Sequence, residues 1–184
     1  MKNKNIFLFS ILIIFLLISF IFDKQILSFI IKNRIQSMNI FFIYFDKING
    51  LVILTFFLVY FIIKKQYKII KPYLVNVITV YILGYLIKFL VQRPRPGSEF
   101  LPLIMKSGTS SIFSFPSGHT LAAFSVLPFL KTKKEKIIWS IIALFIAFSR
   151  LYLAVHYLSD VIAGIILGLL IGYSIKRFIR KSKK

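Results

Sequence analysis

The stretch YLSDVIAGIILGLLIGYSIK, residues 157–176, decides what kind of protein this is. It is a continuous apolar run of roughly the 20 residues that a helix needs to cross a bilayer, with Asp160 near its start and Lys176 at its end. Its apolar residues follow one another instead of alternating, which reads as helix and not as strand. Gly164, Gly168 and Gly172 recur at every fourth position. Such a stripe of small residues lets a neighbouring helix approach closely. Packing within the chain is its expected use, with a dimer contact as the alternative.

Working outward, five more apolar segments occupy residues 5–22, 48–64, 71–91, 117–131 and 137–155. The 184-residue chain is 58% hydrophobic, with a mean hydropathy of +0.85. In lipid every backbone polar group has to be satisfied inside the protein, and continuous apolar runs do this as helices. The expected fold is therefore all-α, a polytopic membrane protein with six transmembrane helices in a bundle. No repeat, linker or composition shift divides it, so residues 1–184 are expected to form one domain. Lys2 and Lys4 precede the first run, but Phe22-Asp23-Lys24 is no small-residue cleavage site, so that run reads as an uncleaved anchor. Residues 23–47 are expected to form a short interfacial helix and a turn, with Asn49-Gly50 marking a bend. The absence of cysteine excludes disulfide and thiol chemistry.

A formal charge of +20 could suggest nucleic acid, but its distribution excludes that partner. Lys64, Lys65, Lys68 and Lys71 form one cluster, Lys131, Lys133, Lys134 and Lys136 a second, and Lys176, Arg177, Arg180, Lys181, Lys183 and Lys184 a third. Each lies at an end of an apolar run, as the positive-inside rule expects of cytoplasmic ends. Both termini are then cytoplasmic, and the connections at 23–47, 92–116 and around 156 fall on the outer face.

Three polar islands lie on those outer connections. They are Lys88-x6-Arg95-Pro96, Pro116-Ser117-Gly118-His119 and Ser149-Arg150-x5-His156-x3-Asp160. Ionisable residues beside membrane spans are costly and mark function. Asp160 follows His156 by four residues, so on a helix the two share a face and the carboxylate can accept a ring N–H. That would make the other ring nitrogen a better nucleophile toward phosphorus. His119 stands where a helix starts, and exposed N–H groups there, with Gly118 and Ser117, suit an anion. His119 could serve as general acid and then general base. Lys88, Arg95 and Arg150 supply positive charge for phosphoryl oxygens, with Arg93 in support. Tyr152 and Tyr157 read as an interfacial aromatic belt.

The three islands, complete and in order, resemble the signature of the type 2 phosphatidic acid phosphatase superfamily. The resemblance implies a metal-independent membrane lipid phosphatase with an outward-facing site and no cofactor. By position it implies that His156 is the nucleophile that becomes a phosphohistidine, Asp160 its partner and His119 the acid/base. It implies that Lys88, Arg95, Ser117, Gly118 and Arg150 bind the phosphate. A proline often found between the nucleophile and the aspartate is absent from His156-Tyr157-Leu158-Ser159-Asp160. Undecaprenyl diphosphate is the first expected substrate, since a small chain with a short outer loop (97–115) fits a recycled polyprenyl carrier. Lipid A phosphate ranks second, and phosphatidylglycerophosphate or phosphatidic acid third. Vanadium haloperoxidases share the anion pocket but are soluble. The different class is a non-catalytic protein that binds or transports phospholipid, which would not need His156, His119 and Asp160 together. The expected location is the bacterial inner membrane, with the lipid phosphate and the bilayer as partners. Monomer and dimer both stay open.

Overall fold

The computed structural model describes residues 3–48, 50–97, 100, 102–103 and 112–181. Much of the outer loop expected at 97–115, the Asn49 half of the expected bend, and Lys183 and Lys184 lie outside the described residues. The helices are α1 (Asn3–Lys32), α2 (Asn39–Phe45), α3 (Gly50–Ile63), α4 (Tyr67–Val91), α5 (Gly118–Val126), α6 (Lys133–Tyr152) and α7 (Leu158–Lys181). Among the described residues the one β pairing is an isolated antiparallel bridge between Pro94 and Phe113. The chain is thus nearly all helical, as expected.

Three helices are long and apolar enough to cross a membrane: α1 over Ser10–Lys32, α4 over Tyr67–Val91 and α7 over Leu158–Phe178. The α2 region and α3 together would make a fourth, bent by 62°. Of the six expected spans, 5–22, 71–91 and 157–176 fall in α1, α4 and α7. The span at 48–64 (α3) qualifies only together with the α2 region, and 137–155 (α6) does not qualify by length and apolarity, so six crossings are not seen among the described residues. Two of the spans also change their bounds or form. The first does not stop at Phe22, because Asp23 is buried and paired inside the protein, so α1 runs on to Lys32. The fourth, expected over 117–131, is a nine-residue helix followed by a 3-10 turn at Leu127–Phe129. Pro128 has no N–H to continue the helical ladder, which ends α5 there. The expected connector helix is present as α2.

The short α5 is the axle of the bundle. Every residue from Thr120 to Val126 is buried, and α3, α4, α6 and α7 all pack on it. Several polar groups that enter this interior donate hydrogen bonds within it, which offsets their burial. The Trp139 indole N–H donates to Ala123 O at 2.8 Å, the Tyr73 hydroxyl to Leu54 O at 3.0 Å, and the Asn76 amide to Ser125 Oγ at 3.1 Å. Outward, α1 and α4 expose Phe15, Leu17, Ile21, Ile78, Ile82 and Phe89. An apolar face of this size suits lipid, not water.

The glycine stripe of α7 faces α5. A Cβ on Gly164 would stand 2.8 Å from Ser117 O, one on Gly168 2.5 Å from Leu121 O, and one on Gly172 2.5 Å from Ser125 O. The obstacles are backbone carbonyls and cannot swing aside, so the stripe packs inside the chain. The element order also sorts charge. The basic clusters at Lys64–Lys71, Lys131–Lys136 and Lys176–Lys181 join or flank helix ends at one end of the bundle. The three polar islands gather at the other.

Gly168→Ala forces α5 and α7 apart and is expected to cost about 1–3 kcal/mol, the usual range for overpacking. A thermal melt in detergent should register this as a clearly lowered midpoint. Gly84→Ala, whose Cβ would meet nothing nearer than Leu121 Cδ1 at 4.0 Å, should melt like the wild type.

Candidate active site

Local sequence brings each island to the same end of the bundle. The α4 helix closes at Gln92, whose left-handed backbone (φ 48) returns its N–H to Lys88 O at 2.9 Å. The Arg93-Pro94-Arg95-Pro96 run then leaves in extended form, since a residue before proline is pushed out of the helical region. Ser117 stands at the N-cap of α5 with extended backbone (φ −68, ψ 111). After α6 the chain turns through Ala154, another left-handed residue (φ 54), with Ala154 N–H bonded to Leu151 O and Val155 N–H to Arg150 O. A non-glycine residue in that region costs about 1 kcal/mol. The turn aims Val155 O at Arg95 (Nη1 to O 2.5 Å) and sets His156 just before α7.

A cavity of about 430 Å³ opens among these ends. Lys88, Arg95, Gly118, His119, Arg150 and His156 line its polar part. Leu51, Val80, Tyr81, Tyr85, Leu121 and Ala122 make an apolar flank from α3, α4 and α5. Six of the eight expected site residues therefore share one cavity. The other two stand behind it. Asp160 is fully buried, with Oδ2 3.5 Å from His156 Nδ1 and accepting the Tyr157 N–H at 2.9 Å. Ser117 is also fully buried, and its hydroxyl accepts from Thr120 Oγ1 at 3.0 Å instead of capping α5. Its N–H donates to Asp160 O at 3.0 Å, which ties the starts of α5 and α7 together. A Cβ on Gly118 would meet nothing within 4 Å, so the space before the α5 N-terminus is open.

The environment fixes the state of His156. Its Nε2 lies 3.2 Å from Arg95 Nη1. A guanidinium only donates, so Nε2 is the acceptor and a neutral ring carries its proton on Nδ1, toward Asp160. Burial first, and then the cations of Arg95, Lys88 and Arg150, hold the His156 pKa well below the usual 6.5, the Ser114 backbone acting in the opposite sense. The ring is neutral at pH 7. Burial also lowers the Arg95 guanidinium to about 10, against the pull of Asp160 and Asp46, which leaves it charged. Lys88 Nζ donates to Phe113 O at 2.8 Å and Ser114 O at 3.3 Å, and Arg150, 1% exposed, donates through Nε and Nη2 to Ser149 Oγ.

Five residues, Asp23, Asp46, Arg93, Tyr152 and Tyr157, have roles that the sequence did not give them. Asp46, read as connector, accepts from Arg150 Nη1 at 2.5 Å and has Oδ1 4.0 Å from His119 Nε2. Asp23 and Arg93 form an ion pair at 2.7 Å, and Arg93 reaches Asp160 at 2.8 Å. Tyr152 and Tyr157 are not an interfacial belt. Both are buried: Tyr152 donates to Ile35 O and Asn39 Oδ1, and Tyr157 lies under the Arg93 guanidinium at 4.3 Å. Only Arg93 had a sequence signal, its place in the doubled Arg-Pro.

Comparison with known proteins bears on this geometry. The sequence pattern of the PAP2 superfamily matches residues 69–184. Phosphatidylglycerophosphatase B of Bacillus subtilis is 38% identical over 116 residues, covering 56% of this chain and 54% of the relative. The chain thus spans about half the length of that protein. An undecaprenyl-diphosphatase of Sulfolobus acidocaldarius is 26% identical over 151 residues, 80% of this chain and 73% of the relative. The crystal structure of a transmembrane PAP2-type phosphatidylglycerolphosphate phosphatase from Bacillus subtilis superposes with a TM-score of 0.71 at 28% identity, covering 94% of this chain and 96% of that one. A pattern that takes in all three islands, on a bundle shared with a membrane phosphatase, makes this chain an integral membrane protein of the PAP2 superfamily.

Proposed function

We propose that the chain is a metal-independent lipid phosphatase that works through a phosphohistidine, with undecaprenyl diphosphate as its first substrate. The observation that carries this reading is one cavity in which a neutral, acceptor-oriented His156 Nε2 stands among three cations beside an apolar flank. The cations would hold the phosphoryl oxygens while the flank takes the start of a lipid chain. Their charge performs the task that a metal ion performs in other phosphatases.

In the first step the Nε2 lone pair attacks phosphorus, the N–P bond forms and the bond to the leaving oxygen breaks. His119 gives that oxygen its proton, and Asp160 stabilises the charge developing on the His156 ring through Nδ1–H. Water then attacks phosphorus, His119 takes its proton, the N–P bond breaks and phosphate leaves. Ser117 contributes by setting the α5 N-terminus, and Gly118 by leaving open the space where the anion sits.

Residues 1–184 act as one membrane domain, and six helices cross or enter the bilayer. Both termini face the cytoplasm of a bacterial inner membrane and the site faces outward. The separation of basic clusters and polar islands to opposite ends supports this orientation. The second substrate is phosphatidylglycerophosphate, favoured by the extent of the likeness to the solved Bacillus subtilis enzyme.

Purified protein in detergent with EDTA should release phosphate from undecaprenyl diphosphate or phosphatidylglycerophosphate, and His156→Ala should abolish release. Activity lost to EDTA and restored by one divalent ion would overturn metal independence. No release from either lipid or from lipid A would favour a phospholipid-binding protein. The pH profile has a predicted sign as well. Lowering the His156 pKa keeps the nucleophile unprotonated into mildly acid solution, so the acid limb of kcat/KM should lie below pH 6.5. An acid limb above that value would contradict the site described.

A further inference from the structure

Four cations stand at or just behind the cavity, and one of them faces away from it. Lys88, Arg95 and Arg150 line it, whereas Arg93 is turned to the back of α7. There its Nη1 donates to Asp160 Oδ1 at 2.8 Å and its Nη2 to Asp23 Oδ2 at 2.7 Å. The guanidinium is stacked near Tyr157 on one side, at 4.3 Å, and near Phe20 on another, at 5.2 Å. This geometry excludes Arg93 as a phosphate ligand and makes it a clamp between two carboxylates.

Asp23 comes from the middle of α1, where a carboxylate is expensive unless something requires it. It is 3% exposed, and among the described residues it pairs with Arg93 and Ser159, directly behind the cavity. Its Oδ1 accepts the Ser159 N–H at 2.9 Å, and its Oδ2 accepts the Ser159 hydroxyl at 2.5 Å. Ser159 also receives Arg93 Nη1. The first turn of α7 has unpaired N–H groups, and Asp23 satisfies one of them from another helix.

We propose that Asp23 is a positioning residue of the reaction, acting through Arg93 on Asp160 and so on the orientation of His156. The proposal rests on the phosphatase reading above. Asp160 Oδ1 is held by Arg93 and its Oδ2 by the Tyr157 N–H, which sets Oδ2 at 3.5 Å from His156 Nδ1, near enough to attract the ring proton though not hydrogen-bonded to it. A carboxylate in a one-to-one pair with Arg93 would be largely neutralised and a poor acceptor for the ring proton. Shared between two carboxylates, Arg93 fixes the rotation of Asp160 while leaving it charge to spend on His156. The other ionisable groups nearby are Lys88, Arg95 and Arg150, which line the cavity, and Asp46, beyond Arg150 and near His119. Lys88 bonds to Phe113 O and Ser114 O, Arg95 to Val155 O, and Arg150 to Ser149 and Asp46.

The test uses the full chain in detergent and two readouts. With only two histidines in the chain, ring ¹⁵N spectra of the His119→Gln protein report His156 alone. The Nδ1–H tautomer should dominate, and Asp23→Asn should move the population toward Nε2–H. In turnover, Asp23→Asn should lower kcat about tenfold with KM nearly unchanged, and that loss should vanish in an Asp160→Asn background, as coupled residues require. An unchanged tautomer, or an equal fold-loss in both backgrounds, would overturn the proposal. If Asp23→Asn yields no folded protein, Arg93→Lys takes the same two readouts, because one ammonium cannot span both carboxylates in the forked geometry. A wild type that releases no phosphate would sink the phosphatase reading, while the tautomer shift would still decide for or against the clamp.

Discussion

Everything at the site depends on how closely α5 and α7 approach one another. At Gly164, Gly168 and Gly172 there is no room for a single Cβ between one helix and the backbone of the other. Helices this close share a register, and the Ser117 N–H bonded to Asp160 O fixes it at the site end. The helix that begins with Gly118 and His119 is thereby locked to the helix that begins beside His156 and contains Asp160. A cavity wall assembled from separate loops would drift. Here it is built on two helix starts whose spacing is set by backbone contact along their length.

The second requirement is charge. Lys88, Arg95, Arg150 and Arg93 sit together in a bundle whose outer face is apolar. Their mutual repulsion and desolvation are offset by Asp23, Asp46 and Asp160, each placed against a specific guanidinium. The chain has only five acidic residues, and three of them lie here. The carboxylates keep to the back and rim, while the cavity wall stays cationic. Such a division readies the site for an anion without filling it with one.

The ordinary packing of the bundle serves the same end. Burying Thr120–Val126 between α3, α4, α6 and α7 lets a helix too short to span a bilayer hold His119 at the cavity. The left-handed turn at Ala154 uses a modest strain to direct Val155 O at Arg95 and His156 at the cavity. The apolar flank from α3 and α4 joins that polar pocket to the lipid-facing surface.

Helical membrane character, the positions of α4, α6 and α7, and the six site residues that meet in the cavity follow from the order of amino acids alone. These are legible because continuous apolar runs, charge clusters and spaced motifs are local patterns. The His156-to-Asp160 spacing is likewise one helical turn written in the chain. Only the tertiary structure decided that Asp23 continues α1 instead of ending it, that Arg93 clamps two carboxylates, and that Asp46 holds Arg150. The same holds for the burial of Tyr152 and Tyr157 and for the shortness of α5. In each of these cases the partner lies far along the chain, as Ser159 lies 136 residues from Asp23. A charged residue flanking an apolar run reads as solvated until its partner is seen. The cost of burying a charge is local, but its compensation is not.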